Sequence, residues 1–148
     1  MSLKRGYEAK LYYCADGIGG TPEWTEVTTA RGVRLLTSMG EVDLTPRACG
    51  GFKMTEPTLI DMSLEFELPY DPAVGPVDAL EDAYFGRTLL GFAVMSEGVA
   101  VVGSRGAWFD GKVLKWERDE GEAGVLMVSV TIKPCYSTDV PEWKEITA

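Results

Sequence analysis

The stretch Leu59-Ile60-Asp61-Met62-Ser63-Leu64-Glu65-Phe66-Glu67-Leu68 decides how the rest of the chain is read. Ile60, Met62, Leu64, Phe66 and Leu68 occupy one side of a period-2 pattern, and Asp61, Ser63, Glu65 and Glu67 occupy the other. Alternation of this length predicts a strand with one buried face and one wet face. A helix would scatter Ile60 and Leu64 around its cylinder. The wet face carries three carboxylates and no base of its own. Like charges on one side of a strand repel, so this face asks for a physical reason. Pro69 ends the run because it cannot donate to a ladder.

The same periodicity extends outward in both directions. Tyr7 to Tyr13 alternates and reads as a first strand. Ala15 to Pro22 is dense in turn residues and reads as a loop; its glycines match no phosphate-binding spacing. Val33–Met39 and Glu41–Thr45 read as two short strands around Gly40, closed by Pro46. Arg47-Ala48-Cys49-Gly50-Gly51-Phe52-Lys53 reads as an exposed loop, with Lys53 to Glu56 extending it as a hairpin arm. Its basic residues are either plainly solvated or a contact for another copy of this acidic chain.

Downstream, Val77 to Phe85 predicts the one helix. Pro76 suits the first helical position, Gly86 suits the C-terminal cap, and Val77, Leu80 and Tyr84 face the core. Leu89–Met95, apolar on both sides, predicts a buried central strand. Val99–Val102 and Gly106–Glu117 follow as strands, the second interrupted at Asp110-Gly111. Asp119 to Gly124 is an acidic turn. Val125–Lys133 is the last strong strand, with Leu126, Val128, Val130 and Ile132 facing in. The expected organisation is one β domain over residues 1–135 and a trailing C-terminal tail over 136–148. Mainly antiparallel β structure with one inserted helix predicts a sandwich or partly open barrel.

Pro22-Glu23-Trp24-Thr25-Glu26-Val27-Thr28 is echoed by Pro141-Glu142-Trp143-Lys144-Glu145-Ile146-Thr147. Two copies so far apart make no repeat array. Trp24 and Trp143 either cap the two ends of one core or serve as equivalent contacts with neighbouring subunits.

Composition narrows the function. The 148 residues are enough for one domain with a real core. A net charge of -9 opposes tight binding to nucleic acid through phosphates. No apolar run is long enough for a membrane helix, and the N-terminal residues carry no apolar signal region. Histidine, asparagine and glutamine are absent, which removes the usual general base and the commonest transition-metal ligand. Cys14, Cys49 and Cys135 are widely spaced and read as reduced thiols. Glu65 and Glu67, ~6–7 Å apart on one strand face, have a spacing open to acid–base work, but nothing places them in a cleft. Asp119-Glu120-Gly121-Glu122 lacks calcium-loop spacing. Enzyme and metal-module readings therefore find no constellation to carry them.

An ordered series of segments resembles a known family. It runs Trp24-Thr25-Glu26-Val27, Glu41-Val42-Asp43-Leu44-Thr45, and the alternating strand to Phe66. It continues with Ala83-Tyr84-Phe85-Gly86, Phe92-Ala93-Val94-Met95, Gly103-Ser104-Arg105-Gly106, Trp116-Glu117-Arg118 and Val130-Thr131-Ile132-Lys133-Pro134. In this order, over nearly the whole chain, they resemble the tail tube (major tail) proteins of long-tailed phages with non-contractile tails. The resemblance implies a β-sandwich or barrel with a flanking helix, and a structural subunit without enzymatic activity or cofactor. It implies rings, usually of six subunits, stacked into a hollow tube in the virion tail, after synthesis in the bacterial cytoplasm. Its partners would be other copies, the tape-measure and other tail proteins, and DNA that passes without tight binding.

In that setting Asp61, Glu65 and Glu67 are candidates for the bore, where negative walls repel phosphate; the competing assignment is outer solvent. Arg47, Gly50, Gly51 and Lys53 occupy the place of the loop that bridges successive rings, although the segment is short and glycine-rich. Trp24 and Trp143 are candidate subunit contacts. The alternative of the same size and class is a tail-completion or head–tail joining adaptor, or a small monomeric β-barrel binding module.

Overall fold

The computed structural model describes residues 10–15, 17–19, 22–45, 47, 50–71, 73, 75–119 and 126–147. Eight strands and one helix follow one another as β1 (Lys10–Cys14), β2 (Thr25–Glu26), β3 (Arg31–Asp43), β4 (Thr55–Pro69), α1 (Gly75–Gly86), β5 (Leu90–Met95), β6 (Arg105–Asp119), β7 (Met127–Pro134) and β8 (Glu142–Glu145). All ladders are antiparallel, in the order β2-β1-β5-β6-β7-β4-β3. The two ends of this order, β2 and β3, are joined in sequence by only a few residues, yet they do not pair. The sheet thus curls toward a barrel and stays open along a seam lined by Leu11, Val27, Val33 and Leu35.

β6 is the hub. Its Gly106–Gly111 half pairs with β5 on one edge, and Arg105–Trp108 pairs with β8 on the other. From Gly111 onward it pairs with β7. The strand runs through Asp110-Gly111 without the interruption expected there. Glycine is needed at 111 because β7 crowds it: a Cβ would sit 2.9 Å from the Lys133 carbonyl oxygen and 3.0 Å from Ile132. The irregularity lies further on, between Val113 and Lys115, and leaves Leu114 exposed.

The main core gathers Leu64, Phe66 and Leu68 of β4, Val128, Val130 and Ile132 of β7, Phe92 of β5, Phe109 of β6, and Val77, Leu80 and Ala83 of α1. Full burial of each large apolar side chain contributes about 1.5–3 kcal/mol. Ala83 takes the buried place expected for Tyr84, which is half-buried at the rim. The helix stop is Arg87 rather than Gly86. Arg87 adopts φ 56°, and the Thr88 amide closes back on the Ala83 carbonyl at 3.0 Å. The buried central strand is found at β5, as its two-sided apolar pattern predicts. A second cluster of Tyr12, Ala93 and Met95, with Trp24, Trp108 and Ile146 packed against it, forms separately from the main core.

Four further expectations change. Val33–Met39 and Glu41–Thr45 are one strand, since β3 absorbs Gly40 with a register shift between Met39 and Glu41. Residues 99–103 form turns held by Val101 and Ser104 amides, not a strand. Ile60, expected inside, is 61% exposed, because the β4–β7 ladder ends at Leu64 and, among the described residues, no strand pairs with Ile60 on that side. Residues 142–146 do not trail away: β8 pairs with β6, and Ile146 exchanges backbone bonds with Gly103 and Ser104. β1 starts at Lys10; the Tyr7–Ala9 part of the expected first strand, Cys49, residues 120–124 of the acidic turn and Val125 of the expected last strand lie outside the described residues. Among the described residues no helix is long and apolar enough to cross a membrane.

Candidate assembly surfaces

β3 and β4 continue beyond the body as a two-stranded arm. From Leu64 to Glu67, β4 has β7 on one side and β3 on the other, and Leu68 and Pro69 continue beside β7. From Thr55 to Met62 its only strand partner among the described residues is β3. The alternation that starts at Ile60 crosses from arm to body, yet Ile60 is exposed and Leu64 buried, so burial along the pattern is set by what lies across the strand. At the tip, the Leu44 amide donates to the Met54 carbonyl at 3.0 Å, and the Met54 amide donates to Thr45 Oγ1 at 3.0 Å. The Thr45 hydroxyl and amide both donate to the Asp43 carboxylate, and these bonds hold its pKa below the usual value. Gly50 and Gly51 take φ of 63° and 87°, consecutive left-handed residues that let the chain reverse. Arg47, Gly50, Gly51 and Lys53 thus sit together at the exposed end of the arm.

Asp61, Glu65 and Glu67 lie on the face of β4 turned away from the core. The structure supplies the reason this acidic face is tolerated. Glu65 is registered between Arg34 of β3 and Thr131 of β7, and Glu67 between Arg31 and Ser129. Arg34 Nη1 lies 3.8 Å from Glu65 Oε2, and Lys133 Nζ lies 3.6 Å from Asp61 Oδ1. Lys115, on β6, pairs with Glu117 at 3.0 Å. A shallow trough of about 370 Å³ collects Arg34, Glu65, Glu67 and Lys115. Exposed pairs of this kind add about 0–1 kcal/mol each, so the gain is mainly relief of repulsion. The bases come from neighbouring strands and are invisible in the β4 sequence alone.

The two Pro-Glu-Trp segments both become short strands on sheet margins, β2 beside β1 and β8 beside β6. Their tryptophans diverge. Trp24 is half-buried and meets Trp108 edge-on at 5.0 Å and 66°. Trp108 in turn donates to Met95 Sδ and lies under Lys144 Nζ at 4.1 Å. Trp143 is 69% exposed. It stands at one wall of a groove of about 780 Å³ whose opposite wall is the base of the arm, with Met39, Leu59, Ile60 and Met62.

One functional-looking residue escaped the sequence. Asp110 is only 3% exposed. Its carboxylate accepts the Ile18 amide at 2.7 Å and the Ser137 hydroxyl at 2.6 Å, and its carbonyl accepts the Cys135 amide at 3.0 Å. It fastens the Gly17–Ile18 loop and the segment leading to β8 onto the hub strand. A carboxylate beside a serine with no histidine in the chain is an anchor, not a nucleophile pair. Cys14 is buried and Cys135 half-buried, both as free thiols; burial pushes the Cys135 thiol pKa up. Among the described residues no cluster of three metal-ligating side chains occurs.

This architecture recurs in solved tail structures. A chain from the SPP1 tail tube superposes with a TM-score of 0.74 at 14% identity, covering 99% of this chain and 81% of that one. The chain has a tail-tube fold. A chain from the tail of an empty GTA (gene transfer agent) particle, refined with C6 symmetry, superposes with a TM-score of 0.75 at 11% identity over 96% of this chain and 99% of that one. A chain from the 6-fold symmetrised baseplate of the anti-feeding prophage follows with a TM-score of 0.66 at 9% identity, over 100% and 99%. No family model matches the sequence, and no curated protein matches it either. The tail-tube fold includes the arm and β8, since the match to the SPP1 chain spans nearly every residue.

Proposed function

We propose that this chain is the repeating structural subunit of a phage or prophage tail tube, without enzymatic activity or cofactor. Copies join into rings, six to a ring as in the C6 tail, and the rings stack around a passage for DNA. The observation that carries this reading is the tail-tube fold extending over 99% of the chain against the SPP1 tail tube. Open strand edges support it: among the described residues the outer margin of the 13-residue β3 has no strand partner, a hazard on a monomer and a joint in an assembly.

In this reading Asp61, Glu65 and Glu67 line the bore. Asp61 and Glu65, by pairing with Lys133 and Arg34, occupy bases that would otherwise grip passing phosphate. Arg47, Gly50, Gly51 and Lys53 bridge to the next ring, and Trp143, with the less exposed Trp24, meets a neighbouring copy. Tape-measure and other tail proteins are the remaining partners, and the virion tail is the location. The test is the purified full chain at rising concentration, followed by light scattering and negative-stain microscopy. Rings or tubes are expected, and a strict monomer at high concentration overturns the reading. The baseplate match favours a second reading, an adaptor ring at one end of a tail. An adaptor forms single closed rings, whereas a tube subunit polymerises.

A further inference from the structure

The end of α1 and the middle of β6 enclose a shallow cleft of about 490 Å³, lined by Tyr84, Phe85, Arg87, Lys112, Val113 and Leu114. Its apolar groups stand in water: Phe85 is 70% exposed and Leu114 59%. Two local irregularities aim side chains at it. Val113 registers with Ile132 and Lys115 with Thr131, so Leu114 is the extra residue of a bulge, and a bulge re-aims the side chain it carries. Arg87 holds the left-handed position after the helix, φ 56°, where glycine would sit without strain. The Tyr84 ring meets Phe85 edge-on at 5.0 Å and 76°, which steadies the exposed ring.

The charge of the cleft is opposite to that of the chain. The net charge is -9, yet no Asp or Glu lines this surface. Six bases on the strands pair with a carboxylate within 3.9 Å. Among the described residues Arg87 and Lys112 have no such partner, and both line the same cleft. Two cations beside an apolar pair fit an occupant that carries carboxylates beside an apolar side chain. The exposure of Phe85 and Leu114 suits a segment of protein laid over the surface. A small molecule would need walls that bury most of it. Two bases on so acidic a chain do not hold a nucleic acid backbone.

We propose that this cleft docks an acidic, leucine-bearing peptide segment of a different protein. An apolar side chain of the partner seats between Phe85 and Leu114, and a flanking carboxylate is taken by Arg87 and Lys112. The proposal goes beyond the tube reading and does not depend on it.

The experiment titrates the full chain into a fluorescein-labelled octapeptide of alternating aspartate and leucine, read by fluorescence anisotropy. Saturable binding is expected. Phe85→Ser with Leu114→Ser is expected to weaken it about tenfold or more, with the fold retained by circular dichroism. Arg87→Glu with Lys112→Glu should weaken it as much, and should reverse the preference so that a lysine–leucine octapeptide now binds better. No saturable binding, equal binding of both octapeptides to the unaltered chain, or undiminished binding in both variants overturns the proposal. Assembly of the Phe85→Ser, Leu114→Ser variant separates a foreign partner from another copy. Rings or tubes at the same concentration as the unaltered chain are expected. Assembly lost in this variant alone assigns the cleft to contacts between copies; that overturns the proposal and leaves the tube reading standing. An unaltered chain that never assembles overturns the tube reading, and the peptide titration still decides the cleft.

Discussion

Between Leu64 and Leu68 every second side chain of β4 is sealed from solvent; between Thr55 and Ile60 the same strand is exposed on both faces. The difference comes from the length of β7. That strand reaches Pro134, pairs as far as Leu64, and stops. Proline cannot extend the ladder, so the arm begins where its neighbour ends. One strand therefore belongs to two regions: a body whose core is complete, and an arm whose apolar surface is left over. The body is a folding unit, and the arm is an element whose energetic return comes when something else is present.

The contrast can be broken by substitutions along β4 and around it. Leu64→Ala is expected to destabilise the isolated chain by about 2–5 kcal/mol in urea titration, because it empties a fully buried site. Asp110→Ala comes next, at about 1–3 kcal/mol, since it strips the Ile18 amide and the Ser137 hydroxyl of their acceptor. Hydrogen exchange in that variant should speed up at residues 142–146 more than at β7. Arg87→Gly is expected to stabilise the body by about 1 kcal/mol, by removing the left-handed strain at the end of α1, read as a rise in melting temperature. Ile60→Ala, one turn of the pleat from Met62 but on the arm, should change monomer stability by no more than about 0.5 kcal/mol. A loss as large as that of Leu64→Ala would mean that the arm is packed in the monomer after all.

The body was the legible part. Alternation in Leu64–Leu68 and Val128–Ile132, two-sided apolarity in Leu90–Met95, and the Pro76-led helix each report local periodicity, which survives folding intact. What failed depends on partners distant in sequence. Asp110-Gly111 looks like a break because a carboxylate and a glycine interrupt an apolar run; its acceptor role becomes visible only when Ile18, 92 residues away, arrives beside it. β8 is short, polar and lacks alternation, so hydropathy concealed it. The echo of Pro-Glu-Trp was the available signal: both copies form margin strands, with their tryptophans in opposite surroundings. For the acidic face, the carboxylates were readable and their countercharges on β3, β6 and β7 were not.

β4 runs unbroken from the arm into the centre of the body, and its bonds to β7 lie across the direction of the strand. A pull on the arm is therefore delivered lengthwise, and the rungs from Leu64 to Pro69 must yield together, as in shear, instead of opening one by one like a zipper. Because β7 is stitched in the same way to the hub strand, tension entering at one end of the molecule is spread over two successive ladders before it reaches the helix. The fold is therefore built to resist tension applied along β4.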